Sequence, residues 1–145
     1  MKISTRGRYA IRFLIDIGER EEHGFITLKE IADRQDISRK YLEQIVPILN
    51  QAGLLKANRG YKGGYRLGRP AGEITVADVL RATEGALVTN PCLEKASGEC
   101  VRIANCPSSK LWQGLEKVVN DYLESITLAD LIKDRSGMTF DDYSI

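Results

Sequence analysis

The sequence is poor in the residues on which most enzyme centres are built. Among 145 residues there is one histidine, His23, set in the charged connector from Gly18 to Gly24. Such a position reads as solvated loop rather than as a ligand site. No catalytic constellation is visible, and the chain is not read as an enzyme. Cysteine is limited to Cys92, Cys100 and Cys106. An odd, clustered set argues against a structural disulfide framework and leaves free thiols or metal ligands. There is no Cys-x-x-Cys pair and no His/Cys ligand set, which counts against the alternative of a thiol redox or zinc-binding protein. No apolar run approaches the roughly 20 residues that span a bilayer, and the cationic N-terminal segment lacks the apolar region of a signal peptide. The protein is expected to be cytoplasmic, with no membrane partner.

Acidic residues are missing from one stretch in particular. From Lys56 to Arg69 the chain carries Lys56, Arg59, Lys62, Arg66 and Arg69 and neither Asp nor Glu. The net charge of +1 conceals this bias. Residues 1–70 hold 14 Lys+Arg against 8 Asp+Glu, a balance of +6, whereas residues 71–145 hold 7 against 12, a balance of −5. A basic half is suited to neutralising phosphate, and the acidic remainder has another task. One compact protein is expected, whose two parts, residues 1–70 and 71–145, divide the labour.

The basic half is organised around residues 27–67, which read as two short helices, a tight turn and a hairpin. Thr27 suits the cap of the first helix, with Glu30 at the capping-box position, and Leu28, Ile31 and Ala32 as its buried stripe. Gln35, Asp36 and Ile37 make the turn, and Ser38 caps the second helix. There Leu42, Ile45, Val46 and Leu49 recur at spacings of three and four and face the core. Arg39, Lys40, Tyr41, Glu43 and Gln44 occupy the opposite face. Pro47 lacks the N–H that would bond back to Glu43, a break that costs about 3 kcal/mol unless accommodated, so a bend is expected there. Gly53 ends the helix in the left-handed conformation, Leu54 and Leu55 open a strand, and Gly60, Gly63 and Gly64 sit at the tip of the hairpin. This is the layout of a winged helix-turn-helix.

Around that unit lie four further helical patterns. Ala10, Ile11, Phe13, Leu14, Ile15 and Ile17 predict a buried first helix. After a turn-rich hinge at residues 68–72, Thr75 with Asp78 caps a helix carrying Val76, Val79, Leu80 and Ala82, which Gly85 stops. Following the cysteine loop, Pro107 suits a first helical turn. Leu111, Trp112, Leu115, Val118, Val119, Tyr122, Leu123 and Ile126 then make a stripe too wide for one buried face, so one side is expected to pack on a twin subunit. Thr127 with Asp130 caps a last short helix through Ile132, and residues 134–145 read as a polar tail.

The segments KISTRGRYA, ISRKYLEQIV, RGYKGGYRLG, EITVADVLRATEG and ITLADL together resemble the Rrf2 family of bacterial winged-helix transcription regulators, from residue 1 to about residue 133. That family includes the iron–sulfur cluster regulator and relatives that sense nitric oxide or cysteine supply. The resemblance implies a homodimer on double-stranded DNA with a palindromic operator. It also implies a protein surface for DNA that runs from Thr27 through the exposed face Ser38, Arg39, Lys40, Tyr41, Glu43 and Gln44 to the wing residues Arg59, Gly60, Lys62, Gly63 and Gly64. Gln reads adenine, Arg reads guanine, and Ser or Tyr can hold a phosphate. Glu43 is expected to discriminate among bases, and Arg59 to enter an A·T-rich minor groove.

For the cysteines, the resemblance implies an iron–sulfur cluster, 2Fe-2S or 4Fe-4S, on Cys92, Cys100 and Cys106. The chain departs from the family at the fourth ligand. Ser109 stands where the iron–sulfur regulator has histidine, and Arg8 stands where another branch has an acid. Ser109, a carboxylate such as Glu94 or Glu99, an exogenous group or no ligand at all is left for that place. The alternative keeps the DNA binding and replaces the cluster with a regulatory protein partner or thiol oxidation. The expected class is mainly α with a small β-hairpin wing, a winged helix-turn-helix plus a long C-terminal dimerisation helix, with the DNA-binding region over 1–70 and the sensor loop and dimerisation region over 71–145.

Overall fold

The computed structural model describes residues 1–60, 63–94 and 100–137. The element order is α1 (Thr5–Gly18), α2 (Leu28–Gln35), α3 (Arg39–Gln51), β1 (Leu55–Asn58), β2 (Gly64–Leu67), α4 (Val76–Glu84), α5 (Ser109–Ser125) and α6 (Leu128–Ser136). It is the mostly helical fold with a two-stranded wing that the pattern predicts.

Most of the helices begin on hydroxyl caps. Ser4 accepts from the N–H of Gly7 to start α1, and Ser38 accepts from the N–H of Tyr41 to start α3. Thr27 and Thr75 form complete capping boxes with Glu30 and Asp78. A third box, Thr127 with Asp130, starts α6. Each box satisfies two backbone donors that a helix end would otherwise leave unpaired. Helix α3 ends as expected, with Gly53 at φ +74°. Its helical path continues through Pro47; Glu43 and Pro47 are both exposed, so water can reach the carbonyl that proline leaves without a donor.

The main core is built by α1, α2, α3 and the hairpin. Phe13, Leu14 and Ile17 meet Ile31, Leu42, Ile45, Leu49, Leu54 and Leu67, closed off by Ile74, Val79 and Leu128. The hairpin is antiparallel with Leu55 opposite Leu67 and Asn58 opposite Gly64. Ile26 adds a bridge to Tyr65 on the outer edge of β2. Gly64 is required by that bridge, since a Cβ there would lie 2.6 Å from the carbonyl oxygen of Ile26. A second cluster, Val76, Ala77, Leu80 and Leu87, is covered by Leu123, Ile126 and Leu131.

Three expectations need correction. Pro107 precedes the cap of α5, which is Ser108, and so lies outside the first turn. Ile126 is extended rather than helical, because its carbonyl accepts from Val76 in a short antiparallel bridge between Thr75 and Thr127. Helix α6 runs to Ser136, beyond Ile132. Lys133 and Arg135 in its last turn suit the negative end of the helix dipole, and Arg135 reaches Glu19 at 3.1 Å. Residues 134–136 of the expected tail therefore belong to the helix, and residues 138–145 lie outside those described.

Candidate nucleic-acid interface and cysteine pocket

The first two turns of α3 present Ser38, Arg39, Lys40, Glu43 and Gln44 to solvent, with Tyr41 half-buried against the core. Ser38 uses its oxygen to accept from Tyr41, which leaves its own O–H free to donate. Arg39 and Glu43 form an exposed ion pair one turn apart at 3.5 Å, a contact of small net worth that a groove can open. Tyr41 stands edge-on to Tyr9 with ring centroids 5.4 Å apart. Thr27 is also exposed, but its hydroxyl proton is already donated to Glu30 at 2.8 Å. That carboxylate lies below its ordinary range because the Thr27 N–H and O–H both bond to it.

On the wing, Lys56 and Arg66 face each other across the strands. Like charges in opposed positions repel, so this pair gains from an anion. Arg66 also stacks over the Phe25 ring at 5.4 Å, and Arg69 is drawn to Asp78 at 3.4 Å. Arg59 and Gly60 are exposed at the tip. The tip opens with Asn58, whose side chain accepts from the N–H of Gly60 at 3.0 Å. An Asn two residues before a Gly is a local signal for such a turn. A Cβ on Gly63 would lie 2.9 Å from the Asn58 carbonyl oxygen, so this glycine has a packing reason of its own. Lys62 lies outside the described residues.

Cys92, Cys100 and Cys106 line one pocket with Ser108, Ser109, Leu93, Ile103 and Trp112. Asn90 seeds the turn that carries Cys92 by accepting from its N–H at 2.9 Å. The Trp112 indole N–H donates to Ser108 Oγ at 3.2 Å, and that oxygen lies 3.3 Å from Cys106 Sγ. Ser108 thereby pulls the Cys106 thiol below its ordinary value. Glu94 is exposed and Glu99 lies outside the described residues, so of the fourth-ligand candidates only Ser109 lines the pocket among the described residues. Three cysteine side chains are a donor set of the kind that cluster chemistry uses. Among the described residues no three His, Cys, Asp or Glu side chains converge on one metal ion. A 4Fe-4S cluster takes one thiolate at each iron, so this geometry bears on a single ion rather than on such a cluster, whereas a 2Fe-2S cluster brings two of three thiolates to one iron. The cavity is about 40 Å³, room for little more than one water, and a cluster would require the loop to open around it.

The Rrf2 family profile, described as iron-dependent transcriptional regulator, matches residues 3–134. The chain belongs to the Rrf2 family of transcriptional regulators. It is 35% identical over 142 residues to the HTH-type transcriptional regulator IscR of Vibrio campbellii, covering 98% of this chain and 83% of that one. Among solved structures it is similar to CymR, the global cysteine regulator of B. subtilis, with a TM-score of 0.78 and 36% identity over 92% of this chain and 97% of that one. The IscR of T. potens gives a TM-score of 0.75 and 35% identity over 96% of this chain and 93% of that one. These Rrf2 relatives are regulators and not enzymes. In this Rrf2 protein no helix among the described residues is long and apolar enough to cross a membrane.

Sequence reasoning missed Asp16, which is completely buried on α1 and bonded to Arg34 and Gln35. A charge set between Phe13, Leu14 and Ile17 on an otherwise apolar stripe was the available signal.

Proposed function

We propose that the protein is a cytoplasmic homodimer that reads a palindromic duplex through α3 and the wing, under the control of an iron–sulfur cluster. The observation that carries this reading is the exposed face of α3, where Ser38 accepts from Tyr41, beside a wing whose Lys56 and Arg66 stand opposite each other with no acidic partner among the described residues. Arg39, Lys40, Tyr41, Glu43 and Gln44 enter the major groove. Arg59 enters the minor groove, with Gly60, Lys62, Gly63 and Gly64 letting the tip approach the backbone. Thr27 joins the phosphate contacts if its bond to Glu30 opens.

The cysteine loop and α5 form the sensing and assembly half. Cys92, Cys100 and Cys106 would hold a 2Fe-2S or 4Fe-4S cluster, with Ser109 as the pocket's own candidate for the fourth place. When bound, such a group supplies reversible redox and loss-of-cluster chemistry to the loop. The loop leads directly into α5, whose outward side carries Leu111, Leu115, Val118 and Tyr122. Their spacings of four, three and four residues are those of a coiled-coil seam. A ligand can regulate only by binding unequally to two states, here two relative settings of the paired reading heads.

Protein purified without oxygen and incubated with a random pool of duplexes should enrich inverted repeats whose half-sites lie about one helical turn apart, or a multiple of it. The same preparation should be brown and contain iron and sulfide in equal amounts. Each of the three Cys→Ala changes should remove the colour, and loss of colour in Ser109→Ala would identify the fourth ligand. Equal operator affinity of cluster-bound and apo protein at one salt concentration would rule the cluster out as the switch.

A second reading keeps the DNA surface and replaces the cluster with thiol oxidation or a protein partner. For thiol oxidation it is supported by the hydrogen bond between Ser108 and Cys106, which favours a reactive thiolate, and by the likeness to Staphylococcus aureus CymR, whose structure is known in an oxidized form. Colourless protein free of iron, with an operator affinity that falls on peroxide treatment, would select it.

A further inference from the structure

Asp16 sits in the middle of the apolar face of α1, shielded from solvent, and it belongs to no part of the DNA-facing surface. Its Oδ1 accepts from Nη2 of Arg34 at 2.7 Å. Its Oδ2 accepts from Nε of the same arginine at 3.1 Å and from Nε2 of Gln35 at 2.8 Å. Arg20 adds a cation at 3.5 Å. A buried carboxylate persists only with such a full set of donors.

Gln35 is only 6% exposed, and both ends of its amide are committed. Nε2 donates to Asp16, while Oε1 accepts from Nε of Arg12 at 3.2 Å. A flip of the amide would turn oxygen against carboxylate and N–H against guanidinium. The main-chain carbonyl of Gln35 accepts from Nη2 of Arg12 as well. That carbonyl belongs to the last turn of α2, where the helix has no later N–H to offer. Arg12 supplies the missing donor from α1.

Beyond Gln35 the chain turns the corner into the reading helix. Asp36 takes the left-handed conformation at φ 52° and ψ 48°, and Ser38 caps α3 two residues later. On the far side of the corner Tyr41 meets Tyr9, over whose ring the Arg12 guanidinium lies at 5.4 Å. Helix α1 thus grips the corner on both sides, at residue 35 and at residue 41.

We infer that Asp16, Arg12 and Gln35 are positioning residues for DNA recognition, which fix the direction in which the first turn of α3 leaves the corner and thereby set sequence discrimination. The inference rests on α3 being the reading helix. Its physical basis is a difference in tolerance. Hydrogen bonds to base edges need donor and acceptor within about 2.7–3.2 Å, whereas attraction to phosphates acts over a Debye length of about 10 Å. A small swing of α3 therefore removes discrimination and leaves general DNA attraction in place.

The test compares two duplexes of equal length: one that the wild-type full chain enriches from a random pool, and one with the enriched positions scrambled. The ratio of the two affinities is the readout, with the salt slope and the thermal unfolding midpoint measured alongside. Arg12→Lys keeps the charge at a partly solvated site and loses the two-pronged hold on Gln35. Its ratio should fall about tenfold, the scale of one lost base contact, with affinity for the scrambled duplex and the salt slope unchanged. Gln35→Glu, which sets carboxylate against carboxylate, should lose more. The double variant Asp16→Asn with Gln35→Glu restores a donor–acceptor pair and should recover part of the loss. If Gln35→Glu does not fold, Arg12→Lys decides alone. A wild-type ratio in Arg12→Lys, or parallel weakening on both duplexes, overturns the inference while leaving α3 as the reader. A wild-type protein that enriches no sequence overturns the reading itself.

Discussion

Helices α3 and α5 are both amphipathic, yet they end in opposite situations. Leu42, Ile45 and Leu49 of α3 are fully buried by their own chain. Helix α5 buries no residue completely, and it leaves Leu111 63%, Leu115 44%, Val118 67% and Tyr122 63% exposed. Only its other side, through Leu123, joins the cluster under α4. An apolar stripe directs a helix toward cover without saying which molecule provides it. For α3 the cover is α1, α2, α4 and the hairpin; for α5 the cover proposed above is an identical helix in a second copy.

Truncation should separate the two most clearly. Leu42→Ala should cost about 2–5 kcal/mol of stability in urea unfolding, as a fully packed leucine does. Leu115→Ala, measured at protein concentrations too low for association, should shift the same transition by less than about 1 kcal/mol. Similar losses at both positions would erase the contrast.

Val118→Asp should sharpen it. A carboxylate in the middle of the outward stripe, facing its own symmetry mate, should weaken association about a hundredfold, equivalent to roughly 3 kcal/mol. Sedimentation velocity should then find monomers with an unchanged helical circular dichroism signal. A variant that remains dimeric at wild-type concentrations would move the interface elsewhere.

Within the reading half, Arg59→Ala should cost about 1–3 kcal/mol on operators with A·T-rich segments under the wing and much less on G·C-rich ones. Lys62→Ala should weaken all sequences alike and lower the salt slope by about one. Identical losses for Arg59→Ala on both flanks would remove the minor-groove role.

The smallest effects belong to the helix caps, which the two halves share. Glu30 is lowered from 4.5 by the main-chain and side-chain hydrogen bonds of Thr27, and Asp130 from 3.8 by those of Thr127. Both are depressed on folding, so their contribution is complete above those ordinary values and is lost as pH falls through the folded ones. Glu30→Gln should cost a few tenths of a kcal/mol at about pH 7 and less below about pH 4. An equal cost at both pH values would mean that the charge of Glu30 contributes nothing.

Features that depend on neighbours along the chain were legible in the sequence. Capping boxes at Thr27, Thr75 and Thr127 each need a partner three residues on, and all three formed. Gly53 closed α3, and the stripes of α1 to α4 went inward as their periodicity required. The end of α6 was misjudged because its last turn is held partly by Arg135 on Glu19, a partner far back at the end of α1. Ile126 left the α5 stripe for the same kind of reason, a backbone bond to Val76. The three cysteines were legible as a cluster in sequence, but their common pocket with Ser108 and Trp112 depends on how the loop folds onto the first turn of α5.

The sequence by itself determined most of the helices, the capped starts of α2, α3, α4 and α6, and the wing, because caps, turns and periodicities act over a few residues. Only the tertiary structure decided which polar groups were drawn inside. Asp16 meets Arg34 and Gln35 at separations of 18 and 19 residues, and Arg12 meets Gln35 at 23. No local rule joins such positions. They come together because packing the apolar face of α1 against α2 and α3 leaves a charge in the interior, where it must find donors from whatever the neighbouring helices bring.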